Sequence, residues 1–512
     1  MLAALGSCLL SALPDSAALA VPITTDQIGV KVEPQVSPEL EAAVKEFNQQ
    51  HFDKALELLN SAAEKNPELP PGRTTLARFF LQANQIPVAR AMIEQAVLEQ
   101  PEDPEAYRML GDIAFSERRM TESRLVFEEL ARRAEKFSGN PKRKSNYITA
   151  AHAGLAAVAE AQQQWEVARQ HLTAWLALDP KNAGAHHRMG QALFGLEKPD
   201  EAYRELQTAA AAVPELPAPE VTMGRLYQQA GNEEQAAEWM KQAIAKSPDS
   251  LTARLGVAQW EWERGELEAA QQNVDAALKL KADSLEAQVL AGLIHRFQKN
   301  YAAAEQNLQA AYLAAPNNAM AANQLALVLI EQADEAKKRR AIELAEHNSR
   351  QFGNNPEVAA TLGWIYFQNG RAEDAAKIFK VVANAGRVSP DTAYFMARLA
   401  NQAGQGSDAL PALRSALESR SPFAYRDEAS KLLAEIEASP GGAAQPTESK
   451  PDGAPRPADP ATAPKPAGKA PAPRSAPTRP SAGAKVPAAP KPASGSKAPA
   501  KAQPAPAKAG GN

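Results

Sequence analysis

The chain has 512 residues, more than the roughly 250–300 at which one hydrophobic core stops growing. An aromatic share of only 6% and a net charge of −4 fit an Ala-rich helical array better than a β or α/β protein. Cys8 is the only cysteine, which excludes disulfides, Cys-based metal sites and thiol catalysis from everything after it. The charge is uneven. From Ser439 onward eleven Lys or Arg face only Glu448, Asp452 and Asp459, a net +8, which leaves −12 for the remainder.

Residues 1–20 join an apolar run, Leu2 to Leu13, to a polar break at Pro14-Asp15-Ser16 and the triplet Ala18-Leu19-Ala20. The run is too short to cross a bilayer as a helix. The pattern is that of a secretory signal cleaved after Ala20, though without a basic leader, and it predicts a periplasmic or otherwise extracytoplasmic protein. Leu5-Gly6-Ser7-Cys8 also resembles a bacterial lipobox, which would anchor the chain by a lipid on Cys8. The third alternative is an apolar N-terminus on a cytoplasmic protein. Residues 21–35, with Pro22 and Pro34, read as a linker.

From residue 36 the chain repeats. Leu216 to Pro248 shows the unit most cleanly: two helical patterns either side of Ala230-Gly231-Asn232, with Met223, Gly224 and Tyr227 on the first and Ala236, Met240 and Ala243 on the second. The small residue of the second helix recurs at Ala55, Ala89, Ser123, Ala168, Ala202, Ala236, Ala270, Ala304, Ala341, Ala375 and Ala409. Eight of these ten spacings are 34; the others are 45 and 37. The small residue of the first helix falls at Ala43, Ala77, Gly111, Ala156, Gly190, Gly224, Ala258, Gly292, Ala326, Gly363 and Ala397, where two backbones must cross closely. A large residue follows at Leu59, Ile93, Phe127, Leu172, Leu206, Met240, Val274, Leu308, Ala345, Phe379 and Leu413. Prolines 67, 101, 180, 214, 248 and 316 close second helices, and Gly231, Gly265, Gly370 and Gly404 are placed to end first helices in the left-handed conformation.

This pattern resembles the tetratricopeptide repeat (TPR) family. The resemblance covers about residues 36–420, eleven units, and implies an all-α fold, an α-solenoid of helix-turn-helix repeats forming a right-handed superhelix. Trp175 and Asn348 depart from it, standing where a small residue is expected in the fourth and ninth units. Two basic insertions account for the long spacings, near 134–146 (Lys136, Lys142, Arg143, Lys144) and 333–340 (Lys337, Lys338, Arg339, Arg340). Insertions in repeat arrays map to loops, here read first as solvated turns. Residues 421–438, with Phe423, Leu432, Leu433 and Ile436, read as the capping helix a solenoid needs for solubility.

The resemblance also implies that the first helices line a concave groove for protein or peptide partners. Its inward positions fall on Arg78, Arg108, Asp112, Phe115, His187, Gln191, Phe194, Arg225, Gln259, Trp262, Arg296, Asn323, Leu327, Trp364, Phe367, Tyr394 and Arg398. Aromatic anchors beside arginine suit an extended peptide or amphipathic helix, best at Trp364, Phe367, Tyr394 and Arg398. Three consecutive units with the Lys/Asn/Arg set of a carboxylate clamp do not occur, so chaperone C-termini are rejected as ligands.

Residues 439–512 hold eighteen prolines and no aromatic residue. They cannot bury enough surface to offset ordering, which predicts a disordered, extended tail. Ala463-Pro464-Lys465-Pro466 and its kin resemble both envelope-spanning bacterial tails and the basic tails of linker-histone-like proteins. The partner is then an anionic envelope polymer or, in a cytoplasmic protein, nucleic acid; an inert linker is the third option. No phosphate loop, zincin helix or nucleophile elbow is present, and no small-molecule substrate, cofactor or metal is evident. His186-His187 are adjacent, and His152 and His171 fall in different helices. The reading is a non-enzymatic scaffold or adaptor of bacterial envelope assembly, secretion or export machinery. A structural tether acting through the basic tail, or a cytoplasmic adaptor, is the alternative.

Overall fold

A computed structural model describes residues 38–66, 68–386, 388–419 and 422–438. The signal-like stretch, the linker, Pro67 and the Pro/Ala/Lys tail lie outside the described residues. Among the described residues, twenty-three helices make eleven helix pairs and one terminal helix. The first, or A, helices are Pro38–Asn48, Gly72–Gln82, Pro104–Ser116, Pro141–Ala161, Ala183–Gly195, Pro219–Gln229, Leu251–Glu263, Leu285–Phe297, Ala319–Ile330, Pro356–Gln368 and Pro390–Gln402. The second, or B, helices are Phe52–Lys65, Ile86–Glu99, Met120–Lys136, Trp165–Leu178, Pro199–Ala212, Glu233–Lys246, Leu267–Leu280, Tyr301–Ala314, Glu335–Phe352, Ala372–Ala383 and Gly406–Glu418. Arg426–Ala438 ends the described array. The fold is an all-α repeat solenoid, with no strand among the described residues.

Local chemistry sets the boundaries. Asp103, Asn182, Ser250, Ser284, Asn318, Asn355 and Ser389 each cap an A helix by accepting a backbone N–H. The expected prolines stop B helices two residues early, because the residue before proline is driven out of the α region. Gln100, Asp179, Val213, Ser247 and Ala315 all show this, with ψ between 64° and 95°. Gly231, Gly265, Gly370 and Gly404 take φ of 73–78° at the A–B turn.

Packing follows size. Every small A-helix position named above is buried. Glycine there faces a bulky B residue: Gly111 meets Phe127, Gly190 meets Leu206, Gly224 meets Met240, Gly292 meets Leu308 and Gly363 meets Phe379. Ten of the eleven small B positions are also fully buried; Ala409, in the last unit, is half-buried. The two irregular residues are accommodated. Trp175 is buried with the Arg188 guanidinium 5.6 Å from its ring centroid. Buried Asn348 donates its Nδ2 hydrogen to the Ala319 carbonyl at 3.1 Å, which supplies the hydrogen bond that burial demands.

Most of each insertion is helix rather than the loop expected of it; only residues 137–140 and 333–334 are non-helical. The first extends the third B helix to Lys136 and gives the fourth A helix 21 residues from Pro141. The second places Lys337 to Arg340 inside the ninth B helix. In each case an Asx side chain caps the added turns: Asn140 accepts from Lys142 and Arg143, and Asp334 from Ala336 and Lys337.

Candidate functional site

Helix A of each unit packs beside helix A of the next, so the inward positions of successive units form one strip. The strip divides into three stretches of different character.

In units two to four the charged residues are occupied by one another. Buried Glu105 binds the guanidiniums of Arg78 and Arg108, the latter at 2.7 Å, and Arg108 also holds Asp112 at 3.0 Å. Burial alone would raise the Glu105 pKa, but Arg108 and Arg78 outweigh it and hold the carboxyl at about 2. The added turns of the fourth A helix reach back over this region. Arg143 binds Asp103 at 3.2 Å, the Leu69 carbonyl at 3.3 Å and the Tyr147 hydroxyl at 2.6 Å, while Asn140 binds Glu68 at 2.8 Å. Phe115 packs half-buried against the neighbouring apolar cluster of Phe127, Leu130, Tyr147 and Leu155.

In units eight to eleven the expected anchors are buried. Trp364 is 2% exposed and Arg296 4%; Asn323, Leu327 and Tyr394 are also buried, and Phe367 and Arg398 half-buried. Trp364 stacks on Phe395 at 4.5 Å and on Phe367 at 5.5 Å. Tyr425, from the segment before the terminal helix, fills the space in front of Trp364 and Tyr394. The best sequence cluster is therefore covered by the chain itself, and burial pushes the Tyr394 hydroxyl up to about 12.

Between these ends, the inward residues named in units five to seven stay half-exposed. His187 and Gln191 lie one turn apart at 3.3 Å, and burial lowers the His187 pKa, which favours a neutral ring. Phe194 packs edge-on against Tyr227 at 4.9 Å. Arg225 makes a two-point pair with Glu263 of the next unit, one contact at 3.3 Å, and Gln259 donates to the same carboxylate at 3.0 Å. Trp262 packs edge-on against Phe297 at 5.9 Å, and its indole N–H has no hydrogen-bond partner.

Two family models, each described as a tetratricopeptide repeat, match the chain: one at residues 47–113 and 159–221, the other at 221–284. The chain carries TPR repeats. Its solved structural likenesses include a TPR protein from Parabacteroides merdae ATCC 43184 (16% identity, 49% of this chain and 97% of that one, TM-score 0.39). Yeast Tom70 (11%, 78% and 96%, TM-score 0.34) and pilF of Pseudomonas aeruginosa (22%, 41% and 96%, TM-score 0.32) are others. No curated protein matches the sequence.

The residues that decide how this TPR strip behaves include several that the repeat register does not mark. Glu105 and Glu263 are the partners that neutralise groove arginines. Tyr425 lies beyond the last repeat, and its only sequence signal is an aromatic beside Phe423 at the edge of a helical pattern. His152 and His171 meet, with Nδ1 atoms 3.2 Å apart and ring centroids 5.5 Å apart, a geometry in which one ring donates and the other accepts. No group of three or more His, Cys, Asp or Glu among the described residues is placed to hold a metal ion.

Proposed function

We propose that this TPR protein is a non-enzymatic scaffold whose central groove, units five to seven, binds an extended segment of a protein partner. One observation carries the reading: among the described residues, only here do the inward positions named by the repeat register stay half-exposed while mixing aromatic, amide and paired-charge groups. Phe194 and Trp262 offer apolar anchor faces. Gln191 and Gln259 offer amides to a peptide backbone. The Arg225–Glu263 pair offers a charge of either sign at the rim.

The test is a random peptide library selected on the full chain. Phe194→Ala with Trp262→Ala should weaken the selected peptides by about 2 kcal/mol or more per true anchor, roughly thirtyfold, with helicity retained. Unchanged affinity in a folded variant rejects the groove.

The place of action in this proposal is assembly, secretion or export machinery of a bacterial cell envelope. Its support is the signal-like pattern of residues 1–20 and the +8 charge of residues 439–512, suited to anionic envelope polymers. N-terminal sequencing of the native protein should start at Val21. An intact Met1 would overturn the envelope location and leave the groove reading standing.

A further inference from the structure

The C-terminal segment does more than a cap requires. In a repeat array each unit touches its neighbours, and a terminal helix has one apolar edge to cover. The face of Arg426–Ala438 that bears Ala429, Leu432 and Ile436 does this. Residues 423–428 reach further, to four successive units. The Tyr425 ring stacks on Tyr394 of unit eleven at 5.2 Å and meets Trp364 of unit ten edge-on at 5.8 Å. Its hydroxyl donates to Glu331 Oε1, at the end of the ninth A helix, at 2.7 Å, and Arg296 of unit eight lies 5.3 Å from the ring centroid. Arg296 in turn binds Asp391 at 2.8 Å, whose other oxygen accepts the Ala424 N–H at 3.0 Å. Glu428 pairs with Lys299, just past the eighth A helix, at 2.6 Å.

These are the contacts of a peptide in a groove: a buried aromatic ring, a backbone N–H on a carboxylate and a charge pair at the rim. The match is incomplete. A cavity of about 120 Å³ remains beside Tyr425, bordered also by Tyr301, Gln368 and Arg398. Two buried atoms of its lining residues, Arg398 Nε and Glu428 Oε2, have no hydrogen-bond partner. Unpaired buried polar atoms carry a desolvation cost that a better-fitting occupant would remove.

We propose that residues 423–428 occupy this groove as an intramolecular ligand, and that a partner segment of the same chemistry takes their place. That chemistry is a tyrosine ring entering between Trp364, Tyr394 and Arg296, followed three residues later by a carboxylate on Lys299. The site is distinct from the central groove and stands whether or not that groove binds. While the chain's own segment is seated, a competing ligand finds only the small unmasked fraction of molecules, so its apparent affinity falls by that fraction.

The probe is a fluorescent synthetic peptide of residues 422–438, titrated by anisotropy against the full chain. Tyr425→Ala with Glu428→Ala should open the groove and bind the peptide at least about tenfold more tightly than the wild type. Adding Lys299→Glu to the opened chain should abolish the gain, and a peptide with Tyr425→Ala should bind neither protein. Equal binding by wild type and a folded opened variant overturns the proposal, as does binding indifferent to Lys299→Glu. Hydrogen exchange of the unaltered protein decides the matter even if the opened variant misfolds. The amides of residues 424–429 should exchange at least about tenfold faster than those of Pro390–Gln402. Equal protection makes the segment part of the core and overturns the proposal.

Discussion

A methyl group added to Gly190 would sit 2.7 Å from Leu206 Cγ and 3.0 Å from the Ala202 carbonyl oxygen. In an exposed helix interior, Gly→Ala gains roughly 0.5–1 kcal/mol. At Gly190 the neighbouring backbone cannot yield, so Gly190→Ala should lose roughly 1–3 kcal/mol by overpacking. A denaturant midpoint that rises instead would contradict the packing. Glu105 makes the second residue-scale prediction. Its folded pKa, about 2, lies below the ordinary glutamate value of 4.5. Its contribution is then fully present above about pH 4.5 and is lost as pH falls toward about 2, a change on the order of 3 kcal/mol. The stability gap between wild type and Glu105→Gln should shrink over that window; a gap that stays constant would show that Arg78 and Arg108 do not hold the charge. Gly190 was legible in the sequence because small residues recur in register. Glu105 was not, since an acidic residue at the second position of a helix reads as ordinary first-turn charge until its guanidinium partners are placed.

At the scale of elements, the turn between A and B helices has one backbone solution in ten of the eleven units, the ninth excepted, and several sequence solutions. Gly231, Gly265, Gly370 and Gly404 adopt it without steric cost. Gln50, Asn84, Arg118, Gln163, Glu197 and Lys299 take the same left-handed conformation, with φ of 55–62°. Gly231→Ala should therefore cost about 1 kcal/mol, although no atom lies within 4 Å of the added methyl. Gln163→Gly should stabilise by a few tenths of a kcal/mol to about 1, strain relief offset by chain entropy. Thermal unfolding of the two variants checks both signs. The glycine turns were visible beforehand; the others were not, because left-handed glutamine or lysine leaves no compositional mark. The insertions misled for a related reason. Insertions in a repeat array are expected as loops, but Lys and Arg are good helix formers, and Asn140 and Asp334 supply caps.

Over the whole molecule, the 34-residue register accounts for eleven helix pairs because packing in a solenoid is set between adjacent units. What it cannot foresee is contact between distant units. Arg296 with Asp391, Lys299 with Glu428 and Tyr425 with Glu331 join residues 94 to 129 positions apart. Such contacts turned Trp364 and Tyr394 from expected anchors into covered residues, and left the half-exposed strip in units five to seven as the surface for partners. A photo-crosslinking residue placed in turn at Gln191, Gln259 and Leu98 tests that claim directly in the native cell. Leu98, 83% exposed on a B helix, is the control. Gln191 and Gln259 should capture a shared protein partner, lost with Phe194→Ala and Trp262→Ala, while Leu98 captures none of it. Capture of the same partner from Leu98, or capture from Gln259 that survives loss of both aromatics, would contradict the central groove as the binding surface.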